Sequence, residues 1–505
     1  MKENRAPGPA PGTWPGAMPS AAPDTQPAAA PGAGPGAMPS AAPETEPAAA
    51  PDANRFPEGF LWGAATSAYQ IEGLPLADGA GPSIWHRFAH TPGCTHHGET
   101  GDVACDHYRR YPEDVALMRE LGLGAYRFSL SWSRILPEGA GAVNARGVEF
   151  YSRLIDLLLE SGIRPLVTLY HWDLPTALED RGGWLNPDSV HWFADYARVA
   201  FEAFGDRVPM WVTINEPATI VEAGYRRGVH APGRRSAPEA VRAAHHLLCA
   251  HGAAVRAARA AGVRSIGIVL NLEPQDPASD DPADFAAAER MDAYTNRLFL
   301  EPLFLGRYPE AVGEIFGGAW PEVSERDLAL IRQPLDFLGV NYYTRRVVRH
   351  DETAPLLRAS AVRVPGRAYT PRGWEIYPEG LVRVLRDVAE RYGTIPLYVT
   401  ENGAALDDPP HAAGRTVDDP LRVGYLRDHL AAAREAIRLG VDLRGYFVWS
   451  LLDNFEWNHG YSMRFGLVHV DFETQQRTPK ASAHYYREVI RTNGAALPAG
   501  EPAAD

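Results

Sequence analysis

Leu397-Tyr398-Val399-Thr400-Glu401-Asn402-Gly403 is a short apolar, β-rich run that ends in a carboxylate and an Asn-Gly pair. Such a run reads as a buried strand, with Asn402-Gly403 turning the chain away and leaving Glu401 at the strand's carboxyl end. Met210-Trp211-Val212-Thr213-Ile214-Asn215-Glu216-Pro217 has the same form, closed by a proline with no N–H to give to a ladder. Two strand ends therefore each deliver a glutamate.

Working outward, six more runs of the same texture occupy residues 60–67, 125–132, 164–171, 265–271, 336–343 and 445–452. With 210–215 and 397–400 they make eight. Stretches with helical spacing fall between them at 113–121, 147–161, 187–204, 237–261, 283–305, 378–392 and 420–439. Continuous rather than alternating apolar strands, each followed by a helix, are what a parallel sheet covered by helices requires. The pattern predicts an α/β fold, a (β/α)8 TIM barrel with long βα loops over residues 55–490. An open doubly wound sheet is the alternative, but no Gly-x-Gly-x-x-Gly follows the first strand.

Residues 1–54 are a different material. Pro15-Gly16-Ala17-Met18-Pro19-Ser20-Ala21-Ala22-Pro23 returns as Pro35-Gly36-Ala37-Met38-Pro39-Ser40-Ala41-Ala42-Pro43, an imperfect 20-residue duplication. A segment this poor in large apolar side chains cannot offset its ordering entropy, so a disordered Pro/Ala-rich tail is expected, and residues 491–505 are expected to be a flexible C-terminal tail. The formal charge of −14 disfavours nucleic acid or an anionic membrane surface as partner and leaves small neutral molecules as the natural substrates; it does not address oligomeric state. No stretch reaches the roughly 20 apolar residues of a membrane helix, and three cysteines suit a reducing compartment. A cytoplasmic protein is expected. Cys94-Thr95-His96-His97 and Cys105-Asp106-His107 lack the intervals of a zinc site, so no metal is expected there; no cofactor is expected either.

In a barrel, the carboxyl ends of the strands gather on one face, where chemistry is done. The side chains to read there are Gln70, Arg127, Trp132, His171, Trp172, Asn215, Glu216, Asn341, Tyr343, Glu401, Trp449, Glu456 and Trp457. Glu216 and Glu401 each follow an apolar strand directly, where a charge must be used or compensated. Catalysis by paired carboxylates is one reading; a structural ion pair with Arg127 is the other. Amide, imidazole and carboxylate groups beneath aromatic faces make a mixture that suits a hydroxyl-rich ring. Trp132 and Trp211 are better read as core.

The segments Phe60-Leu61-Trp62-Gly63-Ala64-Ala65-Thr66-Ser67-Ala68-Tyr69-Gln70, Tyr126-Arg127-Phe128-Ser129, Tyr170-His171-Trp172-Asp173-Leu174-Pro175, Thr213-Ile214-Asn215-Glu216-Pro217, Asn341-Tyr342-Tyr343-Thr344, Val399-Thr400-Glu401-Asn402-Gly403 and Trp449-Ser450-Leu451-Leu452-Asp453-Asn454-Phe455-Glu456-Trp457 follow one another in an order that resembles glycoside hydrolase family 1, the β-glucosidase family. The resemblance covers residues 56–490. It implies hydrolysis of β-glucosides with retention, Glu401 as nucleophile and Glu216 as acid and base, with the two carboxyl groups about 5 Å apart. It further implies that Arg127 and Tyr343 support the nucleophile and that Gln70, His171, Trp172, Asn215, Glu456 and Trp457 hold the sugar hydroxyls. Trp449 would be the stacking floor, and Trp374 would face the leaving group. A carboxylate at Glu456 implies unphosphorylated sugars, because it would repel a phosphate. Transglycosylation on the same site and a non-catalytic sugar-binding relative are the alternatives.

Overall fold

The computed structural model describes residues 54–498. The expected Pro/Ala-rich tail lies outside these residues, apart from Asn54. Eight parallel strands close into a barrel in simple sequential order: β1 Leu61–Ala65, β2 Ala125–Ser129, β3 Arg164–Tyr170, β4 Met210–Asn215, β5 Ile266–Asn271, β6 Phe337–Asn341, β7 Leu397–Asn402 and β8 Leu443–Trp449. β8 returns to β1, pairing Leu61 with Gly445 and Ala65 with Trp449, so no barrel edge is left open.

Each strand is apolar on both faces because both faces are covered. Inward residues such as Leu61, Leu166, Val212, Val269, Phe337, Tyr398 and Phe447 fill the barrel, while the outward ones join a larger layer packed under the helices. Trp132 and Trp211 belong to that outer layer. Trp132 stacks on Tyr196 at 4.7 Å, and Trp211 meets Phe201 edge-on at 5.0 Å.

The helices follow the expected spans closely, with three differences. The first outer helix begins at His107 rather than 113 and runs through Pro112, its sixth residue, where the missing N–H leaves out one intrahelical hydrogen bond. The stretch expected as one helix over 283–305 is Pro282–Asp292 and Leu298–Phe304, joined by a π turn at Ala293–Arg297. Ile84–Ala89, Glu310–Phe316, Glu325–Ile331 and the closing helix Ala481–Arg491 were not among the expected elements. Two accessory sheets, Gln275–Pro277 with Arg346–His350 and Ala359–Val362, and Val468–Val470 with Arg477–Pro479, are built by the βα loops.

The flexible C-terminal tail expected from 491 is not what residues 491–498 form. Asn493 accepts from Trp62 Nε1 at 3.0 Å and donates to the Phe56 carbonyl at 2.7 Å, and Leu497 is buried. One apolar anchor, these two hydrogen bonds and a third from the Phe56 N–H to the Asn493 carbonyl at 3.0 Å offset the ordering of a short segment.

Candidate active site

A register shift precedes each glutamate. Between Val399 and Glu401, β7 carries one residue more than β6, and between Val212 and Asn215, β4 carries one more than β5. An extra residue of this kind changes the alternation and re-aims the side chains that follow it. Strict alternation from inward Tyr398 would send Glu401 out toward the helices; the shift brings it to the mouth. Glu216 then takes a left-handed backbone conformation at φ 47°, as do Trp172 at φ 82° and Trp457 at φ 54°. Non-glycine residues pay on the order of 1–3 kcal/mol each for such strain, and it gathers at functional sites.

The Asn402-Gly403 pair acts differently from the turn expected. Asn402 is the last residue of β7, fully buried, donating to the Tyr342 carbonyl at 2.7 Å and accepting from the Tyr446 hydroxyl. Gly403 is required by crowding: a Cβ there would stand 1.8 Å from the Trp449 carbonyl oxygen.

The mouth opens into a cavity of about 600 Å3 lined by Glu216, Glu401, His171, Trp172, Tyr343, Trp374, Trp449, Glu456 and Trp457 together with loop residues. β4 and β7 are three strands apart with β5 and β6 between them. Asn341, at the end of β6, spans the interval: its Nδ2 donates to Glu216 Oε1 at 2.7 Å and its Oδ1 accepts from Thr400 Oγ1 at 2.7 Å.

The two carboxylates are dressed unequally. Glu401 Oε1 accepts from Arg127 Nη1 at 2.6 Å and Oε2 from the Tyr343 hydroxyl at 2.6 Å. Glu216 has only neutral partners, Asn341 and the Thr219 hydroxyl at 2.8 Å. Burial raises both above the ordinary carboxylate range. For Glu401 the nearby Arg127 charge and the Tyr343 and Arg127 hydrogen bonds oppose that rise, whereas for Glu216 the negative charge of Glu401 adds to it and carries the acid to about 8. The two environments therefore favour the proton on Glu216 over Glu401.

Arg127 is shared. Its Nη2 donates to Asn215 Oδ1 at 2.6 Å, and Asn215 Nδ2 in turn donates to His171 Nε2 at 3.1 Å. Burial and the Arg127 charge hold His171 well below the usual imidazole range, so it is neutral, and with Nε2 accepting, its otherwise unpartnered Nδ1 carries a proton to offer. Gln70 and Asn215 stand behind the cavity wall; Gln70 Nε2 donates to the Phe455 carbonyl at 3.0 Å and reaches Glu456 Oε2 at 3.4 Å.

Trp449 lies near-parallel to His171 at 5.8 Å, and Trp457 packs on Trp172 at 4.6 Å and on Trp85 at 4.5 Å. Trp374 meets Tyr343 at 5.1 Å. Arg372, which the sequence left inside an unread loop, lies over the Trp374 ring and donates to Glu456 Oε1 at 2.8 Å. Glu456 is thus half of an ion pair and not the lone carboxylate expected to repel a phosphate. Thr219, too, carried no signal in the sequence.

Residues 52–495 match the family model described as glycosyl hydrolase family 1. The chain belongs to this family. Beta-glucosidase A of Thermotoga maritima is 51% identical over 445 residues, 88% of this chain and 99% of that protein. A bifunctional beta-D-glucosidase/beta-D-fucosidase of Bifidobacterium breve is 44% identical over 460 residues, 87% of this chain and 99% of that protein. Among solved structures, the family 1 β-glucosidase of Thermotoga maritima superposes with a TM-score of 0.85, covering 87% of this chain and 98% of that one at 51% identity. The same relative in complex with deoxynojirimycin gives 0.84 at 51% identity, covering 87% of this chain and 99% of that one. No described helix is long and apolar enough to cross a membrane.

Proposed function

We propose that this family 1 enzyme is a β-glucosidase that removes terminal non-reducing β-D-glucosyl residues with retention, Glu401 as nucleophile and Glu216 as acid and base. The observation that carries the reading is the unequal dressing of two glutamates in one cavity: one is ion-paired, the other is held protonated by burial and by its neighbour's charge. Glu401 attacks the anomeric carbon while Glu216 gives its proton to the departing glycosidic oxygen. Once Glu401 has become an ester its charge is gone, Glu216 ionises more readily, and it takes a proton from the water that attacks the same carbon from the opposite side. Arg127 and Tyr343 keep Glu401 aimed, and Asn341 does the same for Glu216.

Within this reading Trp449 supports the apolar face of the sugar. His171, Trp172, Glu456, Trp457 and, from behind, Gln70 and Asn215 hold its hydroxyls; Asn215 is assigned to the 2-hydroxyl, and Trp374 faces the leaving group. The substrates are small neutral β-glycosides, because the Arg372–Glu456 pair leaves no unpaired cation at this position for a sugar phosphate. Turnover of β-fucosides and β-galactosides follows from a hydroxyl set that does not strictly reject changes at C4 or C6, in keeping with the name of the Bifidobacterium relative. A cytoplasmic location is supported by three free cysteines, two of them buried.

The test is initial rates on aryl β-glucoside, β-galactoside, β-fucoside and 6-phospho-β-glucoside beside Glu401→Ala. Release from the unphosphorylated sugars, lost in the variant and partly restored by azide as an α-glycosyl azide, is the expected result. A β-configured azide product would exclude the double displacement.

A further inference from the structure

Loop residues between β1 and the first outer helix hold a cluster that catalysis does not use. Ile84–Ala89 is a short helix, and His86 and His90 stand one turn apart at its end, with ring centroids 4.2 Å from each other. Asp102, from the following loop, faces both. His90 Nε2 lies 3.0 Å from Asp102 Oδ2, and His86 Nδ1 lies 3.5 Å from Asp102 Oδ1. None of the three lines the catalytic cavity.

The hydrogen bonds of this cluster do not close on themselves. His90 Nδ1 is 2.7 Å from the His86 carbonyl oxygen, which has no proton to give, so Nδ1 carries the ring's hydrogen. Nε2 then turns a lone pair toward a carboxylate oxygen, which also offers only lone pairs. A cation must stand between them. A proton on His90 serves that contact alone; His86 Nδ1 and Asp102 Oδ1 face each other at 3.5 Å, both buried and without a hydrogen-bond partner. One metal ion facing all three side chains satisfies every one of these atoms.

We propose that His86, His90 and Asp102 form a binding site for a divalent transition-metal ion of the zinc class. The three donor atoms lie within 4.8 Å of one another. Tetrahedral zinc with ligands at about 2.0–2.2 Å needs separations of about 3.3 Å, within reach of small rotamer adjustments. Two imidazoles and one carboxylate suit this borderline-soft ion, and the His90 hydrogen bond to a backbone carbonyl is the outer partner that a metal-ligating histidine ordinarily has. Half-exposed Asp102 and His90 leave the fourth position to water.

The site has a mechanical consequence. Its helix also carries Trp85, whose ring packs on Trp457 of the sugar site at 4.5 Å. Its loop carries Gly101, packed so close to Tyr69 that an added Cβ would lie 2.8 Å from the ring. A metal joining the two segments ties down the backing of the sugar-binding wall. It stabilises the fold and leaves the chemical step alone.

A second cluster of this kind among the described residues, His245, Cys249 and Asp327, is better accounted for without an ion, because Asp327 already closes the capping box of the helix Glu325–Ile331 and His245 Nδ1 meets the Tyr308 hydroxyl at 2.9 Å.

The test uses the full chain stripped with a chelator, desalted and titrated with zinc chloride, with bound metal measured by elemental analysis and the unfolding midpoint followed in parallel. One zinc per chain is expected, with a midpoint rise of about 3 °C at a hundredfold excess over Kd. His86→Gln and Asp102→Asn should each weaken binding at least tenfold, while Cys249→Ser should not change it. Cobalt(II) on the wild-type chain gives a readout that needs no variant, the intense visible bands of a four-coordinate site. Absence of stoichiometric zinc, or zinc binding that survives both His86→Gln and Asp102→Asn, overturns the proposal.

Discussion

In the proposed mechanism the protonation of Glu216 governs both chemistry and stability at one position. As the acid, it must carry its proton in the free enzyme, so kcat/KM should fall as pH rises through about 8; an alkaline limb several units lower would remove Glu216 from this role. Glu216→Ala should cost substrates with poor leaving groups about 10^2–10^4 more in kcat/KM than activated aryl glucosides, since a good leaving group needs little protonation. The folded value lies above that of the unfolded chain, so the stability tied to this proton is complete below about 4.5 and is lost as pH rises to about 8. Glu216→Gln, which has no charge to bury, should gain on the wild type by up to roughly 1.4 kcal/mol per pH unit across that window. Denaturation curves at several pH values check this, and a pH-independent difference would contradict it.

At the level of elements, the two strands that deliver the glutamates are built alike: an apolar run, an extra residue in the register, then the acid. The device works only where neighbouring strands accept the irregularity, and Gly403 is where β7 pays for it. Gly403→Ala places a methyl against the Trp449 carbonyl with no flexible side chain to yield. We expect a loss of about 1–3 kcal/mol or more, together with lowered kcat, because Trp449 must move with its carbonyl. Thermal unfolding and steady-state rates measure the two effects, and a fully active variant of wild-type stability would show that the backbone here shifts freely.

Across the whole molecule, the two ends of the described chain meet: Asn493 is hydrogen-bonded to Phe56 and Trp62 at the start of the barrel, and Gly494 stands against the Phe56 ring. A chain ending at Thr492 loses one buried leucine and the three hydrogen bonds that tie Asn493 to Phe56 and Trp62, and should lose about 3–5 kcal/mol of unfolding free energy with little change in KM. A comparison of denaturant midpoints decides it. The described part of the chain is otherwise closed without disulfides, so its stability rests on the two apolar layers, inside the strands and beneath the helices.

Much of this was legible in the residues themselves. All eight strands, most outer helices and the places of Glu216 and Glu401 follow from local apolar runs and their terminators, because a strand covered on both faces needs no partner to declare itself. Asn341 stood at a readable strand end, but its bridging of Glu216 and Thr400 depends on strands far apart in the chain. Arg372 on Glu456 and Asp102 opposite His86 are loop placements, set by neighbours the sequence does not put next to them. Asn402 and Gly403 show the limit most plainly: their types suggested a turn, and packing against Tyr446 and Trp449 gave them other work. Sequence by itself determined which strands carry the acids. Only the tertiary structure decided which acid is favoured to hold the proton, because that depends on burial and on charges brought from β2 and β7.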